Sequence, residues 1–344
     1  MAIRVLIVED SPLMQRLLST IIGGQDDLKV VGTAGDPIEA RELIKQLKPD
    51  VITLDVEMPR MDGITFLERL MRLRPMPVVM ISSLTEGNAE VTLRALELGA
   101  VDFVTKPPGG EGSRDLANFG DDVVEKVRAA AKAEVHALPD PPTVPAPAVA
   151  TFRLGSLIAV GGSTGATEMI RELVTRLPRN APPVVVVQHM PEMFTRLFAR
   201  RLDDLCALKV TEAENGEVLQ PGHAYIAPGD WHLRIDVKGG DYVTRISQGD
   251  LVNRHRPSVD VLFESVAKAA GDKCAGVLLT GMGKDGAEGL GAIKRSGGAT
   301  FAQDQATCVV FGMPRAAIEA GYVDHVEPVP GIAQRLVEVL RRPG

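Results

Sequence analysis

A serine flanked by glycines is the first feature of this sequence that could perform chemistry. The segment Gly161-Gly162-Ser163-Thr164-Gly165 follows an apolar run of strand length and precedes a helical pattern. A serine at such a turn is held where a substrate can reach it, and the following helix N-terminus offers free N–H groups and a positive dipole end. The segment also has the G-x-S-x-G form of a nucleophile elbow. A helix N-cap and a phosphate-binding loop are the alternatives.

A nucleophilic serine requires a base, and the sequence contains six histidines. His189 ends the next predicted strand. Adjacent strands that end on the same edge would bring it within reach of Ser163, as a nucleophile and its base require. His223, His232 and His255 are competing candidates, and the sequence separates them from His189 only weakly.

The third member of a serine triad is a carboxylate that fixes the histidine tautomer and stabilises its charged form. Asp285 lies in the glycine-rich segment 281–286, which follows a later predicted strand and is thus delivered to the same edge. The segment also has the G-x-G-x-x-G form of a dinucleotide site, with Asp304 at roughly the distance of a ribose contact. We favour the triad because that fingerprint normally occupies the first βα turn of its domain, which here carries Ser163.

A second cluster of reactive side chains lies near the beginning of the chain, again where predicted strands end. Glu9 and Asp10 follow the first strand, Asp55 ends the third, Ser82 ends the fourth and Lys106 follows the fifth. Ligands of open α/β sheets bind beyond these carboxyl ends. Clustered carboxylates that leave room for water are suitable ligands for Mg²⁺. An aspartate beside this ion can accept a phosphoryl group. An ammonium group can then pair with a phosphoryl oxygen. The alternative is a solvated acidic edge.

Alternating strand and helix patterns position the acidic cluster. Continuous apolar runs indicate a sheet buried on both faces, and five βα units in roughly 135 residues predict a doubly wound, five-stranded parallel sheet. The predicted strands are Ile3–Val8, Val30–Thr33, Val51–Leu54, Val78–Ser82 and Phe103–Thr105, and the predicted helices are Pro12–Ile22, Pro37–Leu47, Gly63–Arg72, Ala89–Leu98 and Asp121–Val135.

A second α/β alternation positions the serine, histidine and aspartate, and it predicts a second doubly wound, Rossmann-like parallel sheet. Residues 209–248, which contain the alternating runs His223–Ala227 and Tyr242–Ser247, interrupt it and predict antiparallel strands or hairpins. The predicted strands of the alternation are Leu157–Gly161, Val184–Val187, Gly276–Thr280 and Thr300–Ala302, and its helices are Thr164–Leu177, Glu192–Leu205, Ser258–Ala270, Ala287–Ser296 and Ile332–Leu340.

Prolines separate the two alternating regions. Five of them fall between residues 139 and 147, a composition that is extended and semi-rigid. We place a linker at 138–152. The predicted first domain is then 1–137 and the second is 153–344.

The bulk composition excludes several classes of protein. The net charge is −7, with 38 Lys and Arg against 45 Asp and Glu, which argues against a DNA-binding output domain. Three cysteines without a CxxC motif predict neither disulfides nor a zinc site, and a reducing cytoplasm fits them. Met1–Val8 reads as a strand rather than a signal peptide, and no apolar run approaches ~18 residues. We therefore expect a cytoplasmic protein that binds no nucleic acid and does not insert into a membrane.

The acidic cluster resembles the receiver domain of two-component response regulators over roughly residues 1–130. The segment Asp55-Val56-Glu57-Met58-Pro59-Arg60-Met61-Asp62-Gly63 is typical of a receiver loop. The resemblance implies that Asp55 is phosphorylated. It also implies that Mg²⁺ is held by Glu9, Asp10, Asp55 and the backbone carbonyl of Glu57.

The same resemblance implies a switch in three residues of the first domain. Ser82 matches the switch hydroxyl, Lys106 the lysine that pairs with the phosphoryl group, and Phe103 the rotating aromatic. On phosphorylation Ser82 and Lys106 would respond and Phe103 would turn inward. The implied phosphodonor is a chemotaxis histidine kinase.

The second domain, from about 153 to 342, resembles the catalytic domain of the chemotaxis protein-glutamate methylesterases. The resemblance rests on the glycine-rich serine turn and on the segments 188–191, 225–229, 255–260 and 280–286. One departure lies in the serine turn. The family usually has Ala before Ser-Thr and Gly-Gly after it, whereas this chain has Gly162 before and Gly165-Ala166 after.

This second resemblance implies a hydrolase that needs no cofactor in its catalytic domain. Ser163 would attack the γ-methyl ester of a glutamate on the cytoplasmic helices of a methylated chemoreceptor, with His189 as base and Asp285 orienting it. The backbone N–H of Met282 and the helix start at Thr164 would hold the oxyanion. Receptor glutamine deamidation is a further implied activity, and the unphosphorylated receiver would cover the catalytic edge. A receiver joined to a nucleotide-binding enzyme and a catalytically inactive scaffold are the alternatives.

Overall fold

The computed structural model describes residues 2–341, apart from 59, 84, 108–112, 134 and 136–148. The chain divides into two compact units, Met1–Pro141 and Pro142–Gly344. Most of the predicted linker at 138–152 lies outside the described residues, and the predicted domain limits 1–137 and 153–344 stay predictions.

The first unit is a five-stranded parallel sheet with strand order β2-β1-β3-β4-β5. This order is that of a flavodoxin-like sheet. The doubly wound, five-stranded parallel architecture is the one that the sequence predicts. The strands are β1 Ile3–Val8, β2 Leu28–Ala34, β3 Val51–Asp55, β4 Val78–Ser82 and β5 Asp102–Thr105, and the helices are α1 Pro12–Gly23, α2 Pro37–Leu47, α3 Gly63–Leu73, α4 Glu86–Glu97 and α5 Ser113–Ala130.

Local sequence explains where the helices of this unit begin. Asp36 accepts hydrogen bonds from the backbone N–H groups of Ile38 and Glu39 (2.7 and 3.0 Å), and a proline occupies the first turn of α2. Asp62 caps α3 in the same manner. Strands β3 and β4 are buried along their whole length because helices cover both faces of the sheet.

The second unit is built on a seven-stranded parallel sheet with strand order β14-β13-β12-β6-β7-β9-β8, and a separate antiparallel pair, β10 and β11. The strands are β6 Leu157–Gly162, β7 Val184–Gln188, β8 Lys209–Glu212, β9 His223–Ile226, β10 His232–Lys238, β11 Asp241–Ser247, β12 Cys274–Leu278, β13 Ala299–Gln303 and β14 His325–Glu327. The helices are α6 Ala166–Thr175, α7 Glu192–Leu205, α8 Val259–Ala270, α9 Ala287–Arg295, α10 Met313–Glu319 and α11 Val329–Val339, with a short 3₁₀ turn at Gly271–Lys273.

The predicted antiparallel region is only partly right. Strands β10 and β11 form an antiparallel pair, but β9 lies between β7 and β8 as a parallel member of the main sheet. The prediction failed there because a short, alternating strand has the same side-chain pattern in either direction. α10 and β14 were not predicted.

The core of the second unit is aliphatic with a few aromatic side chains. Tyr225 on β9 and Phe263 on α8 are completely buried. Val259 and Leu262, on the same helix, pack into the same cluster. Among the described residues, none of the helices has both the length and the apolar character needed to cross a membrane.

Candidate functional site

Ser163 lies in the turn between β6 and α6, at the carboxyl edge of the seven-stranded sheet. Its backbone N–H donates to the carbonyl oxygen of Thr280 (3.0 Å), and its carbonyl accepts from Nε2 of Gln188 (2.9 Å). Gly165, which begins the helix, has a φ of +76°, and a Cβ there would lie 2.5 Å from the side chain of Val309. The turn is therefore held by neighbouring strands and depends on glycine at position 165.

His189 follows β7, the strand that pairs with β6. The register joins Gly162 to Gln188, so that Ser163 and His189 leave the sheet side by side. Nε2 of His189 lies 2.9 Å from Oδ2 of Asp285. Its Nδ1 is buried and has no hydrogen-bond partner among the described residues. Nδ1 is thus the ring nitrogen that remains available to accept a proton.

Asp285 is the most heavily hydrogen-bonded carboxylate of this edge. It is 1% exposed and accepts hydrogen bonds from the Ser258 hydroxyl, the Val259 N–H and the Asn253 amide, each at 2.7 Å. Burial favours the neutral acid, but hydrogen bonds from His189, Asn253 and Ser258 outweigh it and hold the pKa of this carboxyl well below its usual range. Asp285 is therefore a charged acceptor for His189 at neutral pH.

The segment that carries Asp285 passes directly over the serine turn. A Cβ on Gly281 would lie 2.8 Å from Cβ of Ser163 and 2.3 Å from Sδ of Met313, so only glycine permits this approach. The N–H of the next residue, Met282, makes no hydrogen bond within the described part of the chain. Thr164 is buried, and its carbonyl accepts from the Thr280 hydroxyl (3.1 Å). Met282 therefore directly follows the residue that contacts Ser163.

The competing histidines have other surroundings. Nε2 of His232 lies 3.0 Å from the carbonyl of Asp250, and its Nδ1 accepts from the Ser258 N–H (3.3 Å). His223 lies beside the hydroxyl of Tyr225 (3.4 Å). His255 stacks on the ring of His189, with centroids 3.8 Å apart and planes inclined by 16°. Of these candidates, His189 is the one that follows the strand beside the serine turn and bonds to Asp285.

Packing within the chain explains Gly281 and Gly286 of segment 281–286, and a φ of +84° accounts for Gly283. A Cβ on Gly286, whose φ is +90°, would lie 2.6 Å from both Leu278 and Val259. Asp304, the residue at the distance of a ribose contact, caps its own turn by accepting from the N–H and the hydroxyl of Thr307 (2.9 and 2.7 Å). These contacts favour the triad interpretation over a dinucleotide site.

The departure from the usual serine turn is a compensated exchange. A Cβ on Gly162 would lie 2.4 Å from Cβ of Ala166, while its other neighbours are at ordinary contact distance. The space between the two positions therefore holds one methyl group. In this chain Ala166 supplies the methyl group and position 162 is glycine, whereas the usual family pattern has alanine before Ser-Thr and glycine at the position of Ala166.

The acidic cluster of the first unit forms as the sequence predicts. Lys106 Nζ lies 2.9 Å from Oε2 of Glu9 and 2.9 Å from Oδ2 of Asp55, and all three side chains are largely buried. A ligand oxygen of Asp10 lies within 4.8 Å of one from Glu9 and one from Asp55. A Cβ on Gly63 would lie 2.1 Å from the carbonyl oxygen of Asp55, so glycine allows the receiver loop to fold back on the aspartate.

The donor set of this cluster fits a hard divalent cation. It consists of carboxylate oxygens, and Asp10 is exposed while Glu9 and Asp55 are buried, so a bound ion would keep access to water. Burial and the charge of Asp55 raise the pKa of Glu9 to about 7, and burial raises that of Asp55. Lys106 alone therefore does not offset the negative charge of the carboxylates, whereas a bound Mg²⁺ would offset it.

The predicted switch residues surround this cluster. Ser82 is fully buried, and its hydroxyl accepts from that of Thr92 (2.8 Å). Phe103 is already buried at 2% exposure, with Lys126 Nζ 5.0 Å from the ring centroid. The ring of Phe103 is thus already turned inward in this structure. The role of Phe103 in a switch stays a prediction.

Comparison with known proteins identifies the chain. Residues 5–113 match the response regulator receiver domain, and residues 158–336 match the CheB methylesterase family. A "protein-glutamate methylesterase/protein-glutamine glutaminase 2" of Cupriavidus pinatubonensis is 55% identical over 97% of this chain and 95% of that protein. The protein-glutamate methylesterase/protein-glutamine glutaminase of Bordetella parapertussis is also 55% identical, over 97% and 96%.

A solved structure supports the same identification for the second unit. The catalytic domain of Thermotoga maritima CheB methylesterase is 44% identical and matches with a TM-score of 0.53, covering 54% of this chain and 98% of that one. Fold, site and relatives together define a hydrolase joined to a response regulator receiver. The chain belongs to the CheB methylesterase family, which confirms the resemblance seen in the sequence.

Sequence reasoning missed two donors to Asp285. Asn253 and Ser258 both lie in the irregular segment before α8, and both bond to Oδ1 of Asp285 at 2.7 Å. Ser258 carries a sequence signal, because a serine before a helical pattern predicts an N-cap. Asn253 carries none, because its contacts depend on a loop conformation that composition does not specify.

Proposed function

We propose that this protein hydrolyses glutamate γ-methyl esters on methylated chemoreceptors and releases methanol, under the control of phosphorylation at Asp55. The observation that carries the proposal is the 2.9 Å bond between His189 and Asp285 beside the Ser163 turn, in a chain of the CheB methylesterase family. The printed names of its relatives add glutaminase activity. Accordingly, we include deamidation of receptor glutamine in the proposal.

In the proposed reaction, the hydroxyl oxygen of Ser163 attacks the ester carbonyl while Nδ1 of His189 takes its proton. Asp285 accepts the hydrogen bond from Nε2, which fixes the tautomer with Nδ1 unprotonated and stabilises the imidazolium that forms. The oxyanion is held by the N–H of Met282 together with the helix start at Thr164, and each such donor is worth roughly 10²–10³ in rate.

The acyl-enzyme forms when the tetrahedral intermediate collapses. Methanol leaves as His189 returns the proton, and for a glutamine substrate the leaving group is ammonia. Water next attacks the acyl group of Ser163, with His189 again as the base. The products are a free glutamate side chain and regenerated Ser163.

The receiver half of the proposal begins at Asp55. Glu9, Asp10, Asp55 and the backbone carbonyl of Glu57 would hold Mg²⁺, which neutralises charge on the incoming phosphoryl group. Lys106 would exchange its bonds to Glu9 and Asp55 for a phosphoryl oxygen, and Ser82 and Phe103 would respond. The added charge is roughly −1.5 to −2. The phosphodonor in this proposal is a chemotaxis histidine kinase, and the site of action is the cytoplasmic face of the receptor.

Methanol release from methylated chemoreceptor membranes tests both halves. The wild-type chain, with a small phosphodonor and Mg²⁺, should release methanol faster than without the donor. Ser163→Ala should lose at least about 10⁴-fold of this rate, because the nucleophile is absent while binding persists. Asp55→Ala should keep the basal rate and lose the stimulation.

The outcomes separate the two halves. Retained hydrolysis in Ser163→Ala would contradict the assignment of the nucleophile. Stimulation that survives in Asp55→Ala would contradict the assignment of the phosphorylation site. Circular dichroism of both variants checks that they are folded, so that a loss of rate can be distinguished from a loss of structure.

A further inference from the structure

The segment before α8 contains a tight turn of unusual composition. Val252 and His255 exchange both backbone hydrogen bonds (3.1 and 2.9 Å). The two residues between them, Asn253 and Arg254, have φ values of +52° and +71°. Two positive φ values in a two-residue turn are the mark of type I′, for which asparagine suits the first position and glycine the second. Asn253 therefore suits its position, whereas Arg254 departs from the preference for glycine at the second position.

The side chain of Asn253 joins two buried carboxylates. Its Nδ2 lies 2.7 Å from Oδ1 of Asp285 and 2.7 Å from Oδ2 of Asp260. An amide nitrogen carries two hydrogens, so it can donate one to each acid. The two carboxylates are 1% and 7% exposed. Asn253 thus holds together two groups whose charges repel.

The second acid needs such a partner. Burial, together with the charge of Asp285, raises the pKa of Asp260 to about 6, although a bond from the Gly289 N–H (2.7 Å) opposes this. Asp260 is therefore the weaker acid of the pair. Asn253 ties it to Asp285 and, through Gly289, to α9.

The bonds to Asp285 are divided between its two oxygens. Asn253 and Ser258 donate to Oδ1, whereas His189 and the Val259 N–H occupy Oδ2. Without the Asn253 amide, Oδ1 would keep only the Ser258 hydroxyl (2.7 Å) and a long bond from the Asp260 N–H (3.4 Å), so the orientation of the carboxylate would be less tightly fixed. His255, which ends the same turn, covers the face of the His189 ring at 3.8 Å.

We propose that Asn253 is a positioning residue of the hydrolase site, whose amide fixes the orientation of Asp285 toward His189 by bridging it to Asp260. This inference rests on the proposed function. Asn253 touches no reacting atom; it acts through Asp285, and its turn also places His255 on the His189 ring. Small displacements at such a site are costly, since a 1 Å misplacement can cost about 10²-fold in rate.

The test is Asn253→Gly in the full-length chain. Glycine adopts the positive φ without strain, so the turn persists while the bridging amide is lost. Methanol release from methylated receptor membranes should show a kcat reduced roughly 10- to 100-fold, with KM changed less than about twofold. The matched control is Asn180→Gly, which removes an amide bonded to the Ala150 carbonyl (2.6 Å) ahead of β7, at the opposite edge of the sheet. It should keep the wild-type kcat.

A spectroscopic measurement distinguishes positioning from simple stability. In ¹⁵N-histidine-labelled protein, the proton on Nε2 of His189 that bonds to Asp285 should give a downfield signal, assigned by its loss in Asp285→Asn. This signal should shift or broaden in Asn253→Gly and stay in place in Asn180→Gly. Rates are normalised to the folded fraction from circular dichroism.

Two results would overturn the inference. One is a wild-type kcat in Asn253→Gly; the other is an unchanged downfield signal despite a lower kcat. Failure of the proposed function looks different, because the wild-type chain would then release no methanol while the downfield signal still responded to the substitution.

Discussion

Asp285 is the residue on which the proposed triad depends most, because it receives hydrogen bonds from the backbone, a hydroxyl, an amide and the imidazole. Asp285→Asn keeps the shape but adds a donor, and it would favour the wrong imidazole tautomer. We expect kcat for methanol release to fall by about 10⁴-fold with little change in KM. Asp304→Asn, which alters a turn-capping carboxylate, should keep kcat, and an equal loss in both variants would contradict the prediction.

The charge of Asp285 also has a consequence for stability. Its pKa is lowered in the folded protein, so its contribution to the free energy of unfolding is present above the ordinary carboxyl pKa and fades as the pH falls through the folded value. The difference in Tm between wild type and Asp285→Asn should therefore be largest near neutral pH. The difference should shrink below about pH 4. A difference in Tm that grows on acidification would contradict a lowered pKa of Asp285 in the folded protein.

The close approach of Gly162 and Ala166 leads to a third prediction at the residue scale. Gly162→Ala would place two Cβ atoms 2.4 Å apart, and such overpacking costs about 1–3 kcal/mol. The double substitution Gly162→Ala with Ala166→Gly returns to one methyl group and should recover most of the stability and the methanol release. Urea unfolding measures the coupling between the two sites. A double variant no better than Gly162→Ala would show that the positions are independent.

At the scale of elements, both sites lie at the carboxyl ends of parallel strands, and this rule made them predictable. The ends of β1, β3 and β5 meet at Glu9, Asp55 and Lys106, and the ends of β6 and β7 meet at Ser163 and His189.

Because the proposed Mg²⁺ site lies in the receiver and not in the hydrolase, chelation of Mg²⁺ with EDTA should abolish stimulation by the phosphodonor and leave the basal methanol release unchanged. Readdition of Mg²⁺ should restore the stimulation, whereas a loss of basal release would place a metal in the hydrolase site.

The strands and helices were predictable where periodicity and caps agree. Strands β1 and β4 and helices α2 and α7 have the predicted limits. Helix α6 begins at Ala166 instead of Thr164, because Gly165 takes the left-handed conformation that starts it. The direction of β9 and the bridge made by Asn253 were not predictable, since both depend on which distant segments lie alongside, and a local pattern does not record this.

At the scale of the whole molecule, the family resemblance implies that the unphosphorylated receiver restrains the hydrolase. A protein consisting of the second unit, Pro142–Gly344, should then release methanol faster than the full-length chain without phosphodonor. The catalytic domain of the Thermotoga maritima relative was solved as a separate chain of this kind. Equal rates for the two proteins would argue against restraint by the receiver.

The strand order of the second unit also determines when, during synthesis of the chain, the hydrolase site can assemble. Strand β6 lies between β7 and β12, and the bond from His189 to Asp285 spans 96 residues of sequence. A ribosome adds about 5–20 residues per second, so on the order of 10 seconds separate the emergence of the two partners. During this interval β6 has an open edge and the serine turn lacks its acid. With the proposed triad, a nascent or truncated chain that ends before β12 would be incapable of hydrolysis, and active enzyme would be present only after translation is almost complete.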